Sequence, residues 1–203
     1  MDTLIKDLEE LFKQNTNLKS EIKQLYKSDF DYEIHFKLGN MYFRNKFLDK
    51  AIKEYKKVIK LKPDFVIPYH NLGKIYELKK NLNLALKFYK KSIEINPDFA
   101  SSHNGLANIY LKRKEFDMAI IEYRKAISIN QNFAGAYYNL GNLFFLKNEL
   151  SNSISNYKKV IEINPNFSDV YERLIETYTI KGDIESADII KEKLSNIKEK
   201  LKN

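Results

Sequence analysis

The sequence predicts an all-α fold, a solenoid of stacked helix-turn-helix repeats, and three observations predict it. One phrase recurs: Leu61-Lys-Pro-Asp-Phe65, Ile95-Asn-Pro-Asp-Phe99 and Ile163-Asn-Pro-Asn-Phe167, with Ile129-Asn-Gln-Asn-Phe133 as the member lacking proline. From Pro63 to Pro97 to Gln131 to Pro165 the step is 34 residues each time. The interior keeps the same period, in Leu38, Leu72, Leu106 and Leu140, in Tyr42, Tyr76, Tyr110 and Phe144, in Ala51, Ala85, Ala119 and Ser153, and in Tyr55, Tyr89, Tyr123 and Tyr157. A fixed period of this length is the signature of a repeat architecture, whose units cannot bury their apolar faces alone and so stack.

Each column has a physical reason. His35, Leu38 and Tyr42 fall at i, i+3 and i+7, one face of a helix. Small residues at Gly39 and Ala51 let helices approach closely. Proline then ends the second helix, because it lacks an N–H and disfavours helix in the residue before it. First helices are predicted near 33–45, 67–79, 101–113, 135–147 and 169–181. Second helices are predicted near 48–61, 82–95, 116–129, 150–163 and 184–202. A fifth unit keeps Tyr171, Leu174, Tyr178 and Ala187 but has Ile175, Lys191 and Glu199 where glycine, an aromatic and proline are expected. A degenerate last unit with a polar outer face suits a cap.

These columns resemble the tetratricopeptide repeat (TPR) pattern over residues 32 to about 199. The resemblance implies a right-handed superhelix with an array over 31–203, divided into repeats 32–65, 66–99, 100–133, 134–167 and a capping repeat 168–203. It also implies a concave groove lined by the first helices, with positions 2, 5, 6, 9 and 12 of each repeat facing it. Position 5 holds Phe36, His70, Asn104, Tyr138 and Glu172. Position 6 holds Lys37, Asn71, Gly105, Asn139 and Arg173. Position 9 holds Asn40, Lys74, Asn108, Asn142 and Glu176.

The phrases Asn71-Leu-Gly-Lys74 and Asn139-Leu-Gly-Asn142 are similar to the TPR superhelix of O-linked N-acetylglucosamine transferase, where an asparagine ladder holds a peptide backbone. A carboxamide offers a donor and an acceptor, so it can match a peptide unit whatever the side chain. Phe36 and Tyr138 would take apolar side chains. The charge of the groove would run from Lys37 and Lys74 to Asp169, Glu172 and Glu176, giving a bound peptide a preferred polarity. The two-carboxylate clamp of chaperone-binding TPR proteins is not matched. Asn40 and Asn71 fit it, but Phe36, Ser101 and Gly105 stand where its three cations would be.

Residues 1–30 follow a different period. Leu4, Leu8, Leu11, Asn15, Leu18, Ile22 and Leu25 step alternately by four and three. Leucine at d with one asparagine at a favours a two-stranded coiled coil, hence a homodimer and an assembly role. The rival reading is a capping helix on the first repeat, since Ile5, Phe12 and Tyr26 widen the apolar stripe. An RNA-binding solenoid is a third reading, prompted by the net charge of +8. Only four of the 35 basic residues are arginine, which supplies bidentate recognition poorly.

Other classes are excluded by what is missing. The chain of 203 residues is 43% hydrophobic and 31% charged, too apolar for disorder and too charged for a membrane protein. It has no cysteine, hence no disulfide or thiolate metal site. The N-terminus reads as no secretory signal, so a cytoplasmic location is expected. Three histidines lie in no metal-ligand spacing, and six glycines form no phosphate-cradling loop. His35 and His103 stand at a core column. No cofactor, no metal and no enzymatic activity are expected, and the partner is expected to be a protein or peptide.

Overall fold

The computed structural model describes residues 31–200. Among these, the chain is helical throughout: α1 (Asp31–Arg44), α2 (Leu48–Leu61), α3 (Val66–Leu78), α4 (Leu82–Ile95), α5 (Ala100–Lys112), α6 (Phe116–Ile129), α7 (Ala134–Leu146), α8 (Leu150–Ile163), α9 (Ser168–Lys181) and α10 (Ile184–Lys200). Each helix packs on the next in sequence. In addition α3 packs on α5 and α5 on α7, more extensively than any second helix packs on another among the described residues. The first helices therefore form the closer-spaced, inner rank of the curve. The seam expected at Leu4, Leu8, Leu11, Asn15, Leu18, Ile22 and Leu25 lies outside the described residues.

The repeat closes around one tyrosine. Tyr55, Tyr89, Tyr123 and Tyr157 on the second helices are almost completely buried. A Cβ placed on Gly39, Gly73 or Gly141 would lie 2.7, 2.7 and 2.6 Å from the ring of Tyr55, Tyr89 and Tyr157 respectively. The recurring glycine of the period thus admits the tyrosine of its own repeat, a more specific reason than helix approach in general. Leu38, Leu72, Leu106 and Leu140 and the alanines Ala51, Ala85 and Ala119 complete one core running through four repeats. A second cluster, with Val170, Leu174, Ala187, Ile190 and Leu194, joins α8, α9 and α10, so the fifth unit covers the end of the stack.

Two features of the turns depart from the proline argument. α6 ends at Ile129, in register with α4 and α8, although Gln131 replaces proline. Asn130 Oδ1 accepts from the Asn132 N–H at 3.0 Å, as Asn96 does from Asp98 at 2.9 Å. This Asx turn stops the helix without proline. Between the two helices of each repeat, Lys46, Lys80, Lys114, Asn148 and Gly182 occupy the left-handed region, with φ of 63, 58, 61, 59 and 82°. The Phe47 N–H bonds Tyr42 O at 2.9 Å and Asn81, Glu115 and Glu149 repeat the bond, a Schellman-type closure. Lysine at such a position costs about 1 kcal/mol, accepted in three turns.

Candidate functional site

The inner rank brings the predicted groove residues onto successive helices: Phe36, Lys37 and Asn40 on α1, His70, Asn71 and Lys74 on α3, Asn104 and Asn108 on α5, Tyr138, Asn139 and Asn142 on α7, and Glu172, Arg173 and Glu176 on α9. The asparagines are half-buried and bonded to one another. Tyr55 O–H donates to Asn40 Oδ1 at 2.7 Å, and Asn71 Nδ2 donates to the Tyr55 hydroxyl at 3.1 Å and to Asn40 Oδ1 at 3.4 Å. Two repeats later the motif recurs. Tyr123 O–H donates to Asn108 Oδ1 at 2.5 Å, and Asn139 Nδ2 donates to Asn104 Oδ1 at 3.1 Å and Asn108 Oδ1 at 3.3 Å. Tyr157 O–H donates to Asn142 Oδ1 at 2.7 Å.

The buried tyrosines therefore fix the amides from below. Tyr55, Tyr123 and Tyr157 each hold a carboxamide oxygen at position 9 and leave the Nδ2 groups of Asn40, Asn108 and Asn142 with no hydrogen bond among the described residues. The oxygens of Asn71 and Asn139 are likewise uncommitted. Burial raises the pKa of these hydroxyls, that of Tyr157 to about 12, so they stay protonated and keep donating.

The row is interrupted at its middle. Gly105 stands where Asn71 and Asn139 stand in their repeats, and a Cβ there would meet the Tyr89 ring at 2.5 Å. Tyr89 O–H turns instead to Glu77 Oε2 at 2.9 Å, and Lys112 Nζ reaches Glu77 Oε1 at 2.6 Å. Lys74, exposed, lies 5.4 Å over the Phe43 ring.

The position 5 rings pack inside their own repeats. Phe36 lies 4.9 Å from Phe65, Tyr138 5.1 Å from Phe167 and His70 5.3 Å from Phe99, between ring centroids. His70 Nδ1 also lies 3.0 Å from Ser102 Oγ. Burial and then Lys74 lower its pKa to about 4, so it is neutral near neutral pH. At the far end a shallow cavity of about 290 Å³ is lined by Tyr138, Asp169, Glu172, Arg173 and Glu176. Its acids are partly balanced. Arg173 pairs with Glu176 at 3.0 Å and Lys198 with Glu172 at 3.1 Å.

Sequence reasoning did not find the tyrosine anchors or Glu77. The signal was present, since a tyrosine stands 15 residues after Asn40, Asn108 and Asn142. It also treated His35 and His103 as packing residues alone. His35 Nδ1 lies 2.6 Å from Glu54 Oε2 and His103 Nδ1 2.6 Å from Glu122 Oε2. Among the described residues there is no group of three metal-ligating side chains, and no helix is long and apolar enough to cross a membrane.

A curved stack of helix pairs with a polar inner rank is an interaction scaffold. The chain belongs to the tetratricopeptide-repeat family. The TPR repeat model matches residues 39–80 and 107–148, and tetratricopeptide-repeat models match 66–99, 134–167 and 88–121. A crystal structure of MamA is 30% identical with a TM-score of 0.72, covering 80% of this chain and 95% of that one. YrrB, a TPR protein with an unusual peptide-binding site, is 20% identical with a TM-score of 0.64, covering 86% of this chain and 90% of that one. BtubC from P. vanneervenii is 18% identical with a TM-score of 0.74, covering 98% of this chain and 88% of that one. At those identities the last two share the fold alone. A comparison with curated proteins finds no match.

Proposed function

We propose that the chain is a non-catalytic scaffold that holds an extended segment of a protein partner in its concave groove. The supporting observation is the anchored amide row. Tyr55, Tyr123 and Tyr157 hold Asn40, Asn108 and Asn142 by their oxygens, so the Nδ2 donors are preorganised at low entropy cost for carbonyl groups of a ligand. The oxygens of Asn71 and Asn139 supply acceptors for its N–H groups. Such a row reads backbone rather than side chains. Affinity of about −7 to −8 kcal/mol, micromolar, suits a scaffold of this kind. Lys37 and Lys74 at one end and Asp169 with its neighbours at the other set the polarity, with the basic end of the ligand toward α9.

The test is capture from the native lysate by wild type and by an Asn71→Ala, Asn108→Ala, Asn142→Ala variant of equal helicity. The expected result is that partners held by the wild type are lost from the variant. Retention of the same partners would place binding elsewhere and end this reading.

A further inference from the structure

The second helices carry a feature that groove binding leaves unused. Immediately after the buried tyrosine, each of the first four repeats presents an exposed cation: Lys56, Lys90, Arg124 and Lys158. The next residue is again basic: Lys57, Lys91, Lys125 and Lys159. The two columns are treated differently. Every lysine of the second column has a carboxylate one turn away on its own helix. Lys57 pairs with Glu54 at 2.9 Å, Lys91 with Glu94 at 2.7 Å, Lys125 with Glu122 at 2.9 Å and Lys159 with Glu162 at 2.5 Å.

The first column is not paired in this way: Glu94 and Glu162 also stand one turn after Lys90 and Lys158, but they bond Lys91 and Lys159. Among the described residues Lys56, Lys90 and Arg124 make no ion pair, nor do Lys53 and Lys87 one turn earlier. Lys158 lies 5.8 Å over the Tyr178 ring. A face shaped only for solubility intersperses both signs. Here the acids pair with one column and leave its neighbour without a salt bridge in four successive repeats, the charge of Arg124 acting on Glu149 only at longer range.

Midway along this basic ridge lies an apolar spot. On α6, Met118 and Ile121 are 42% and 46% exposed and one turn apart, with Arg124 a further turn on. The residues in register with Ile121 on α2 and α4 are Lys53 and Lys87. The ridge is therefore a cationic track with a small apolar centre, which is the layout of an interface with an anchor and a charged rim. Three of its four leading cations are lysine, a hydrated point charge rather than a bidentate fork. No aromatic residue stands in either column to stack a base. Two apolar side chains are too few for an interfacial membrane helix.

The geometry points to the outward ridge formed by Lys56, Lys90, Arg124 and Lys158 as a docking surface for an acidic polypeptide segment, with Met118 and Ile121 receiving its apolar anchor. This surface is separate from the groove and does not depend on groove binding.

The test is fluorescence anisotropy of the full chain with two labelled peptides of equal negative charge. One contains only glutamate and glycine, and the other carries a central pair of leucines. The leucine peptide is expected to bind more tightly and to lose about tenfold in affinity on Lys56→Glu, Lys90→Glu, Lys158→Glu. It is expected to change by less than about twofold on Lys80→Glu, Lys114→Glu, Lys181→Glu, which alters the net charge equally at exposed positions off the ridge. Its advantage over the glutamate–glycine peptide is expected to vanish on Met118→Ser, Ile121→Ser. The groove asparagine variant is expected to bind it unchanged. Equal losses in the two charge-reversal variants would reduce the effect to diffuse net charge and overturn the proposal. So would tighter, ridge-dependent retention of oligouridylate or of phosphatidylserine vesicles than of either peptide.

Discussion

Replacing Tyr123 by alanine is expected to destabilise the array by about 3–5 kcal/mol, and replacing it by phenylalanine by only about 1 kcal/mol. Tyr123 is fully buried in the third repeat. In the register that sets the rings of Tyr55, Tyr89 and Tyr157 against Gly39, Gly73 and Gly141, the third repeat has Ala107, also fully buried. Alanine at 123 leaves a ring-sized void between two backbones that are held by their other neighbours. Phenylalanine keeps the ring and removes only the 2.5 Å bond to Asn108. Each repeat of a solenoid contacts only its neighbours, so a void in the middle also uncouples the two halves. Urea unfolding followed by circular dichroism should show a lower midpoint and a broader transition for the alanine variant. Equal losses for alanine and phenylalanine would mean that the hydroxyl, not the ring, holds the repeat.

A second large effect is expected with pH. His103 is buried, with Nδ1 2.6 Å from Glu122 Oε2 and Nε2 2.8 Å from Pro97 O. Ionised Glu122 and the Pro97 carbonyl both accept, so the arrangement favours the doubly protonated ring. The hydrogen bond to Glu122 raises its pKa; burial opposes this and the Pro97 carbonyl adds to it. A raised folded pKa means that the stabilisation is complete below the ordinary imidazole range and is lost as pH rises through the folded value. For Glu122, burial would raise the pKa, but the hydrogen bonds from His103 and Lys125 outweigh it and the net shift is downward. That contribution is present above the ordinary carboxylate range and is lost as pH falls through the lowered value.

The pair is thus strongest in the weakly acidic window between the two. Glu122→Gln is expected to cost about 1.5–3 kcal/mol in that window, the range for a hydrogen bond to a charged group. It should also flatten the fall in stability on the alkaline side. Melting temperatures across that range for both proteins test this, and parallel pH profiles for wild type and Glu122→Gln would refute it.

The fold was legible because the period is strict and each column reports a buried contact. Residues 48–61, 82–95, 116–129 and 150–163 are helical within the spans expected from proline spacing and apolar periodicity. What stayed hidden were polar bonds between columns. A buried tyrosine is explained by packing alone, so nothing in its column announces that its hydroxyl holds Asn40, Asn108 or Asn142. The His–Glu pairs were visible only as alternation. His35 and His103 go with Glu54 and Glu122, while Tyr69 and Tyr137 at the same position go with Phe88 and Asn156. Lysine in a left-handed turn was unreadable too, since the residue type expected there is glycine or asparagine. Register assigns Phe36, His70 and Tyr138 to the first helices, where the structure has them. Their rings are largely engaged by Phe65, Phe99 and Phe167, a tertiary contact that spacing does not reveal.

The most direct test of groove recognition is the side-chain amide spectrum of the nitrogen-labelled chain with a peptide taken from a captured partner. The Nδ2 resonances of Asn40, Asn108 and Asn142 are expected to shift together on binding, with a spin label on the basic end of the peptide broadening signals of α9. Shifts confined to the outward helices or to residues 1–30, with these amides unmoved, would contradict the account.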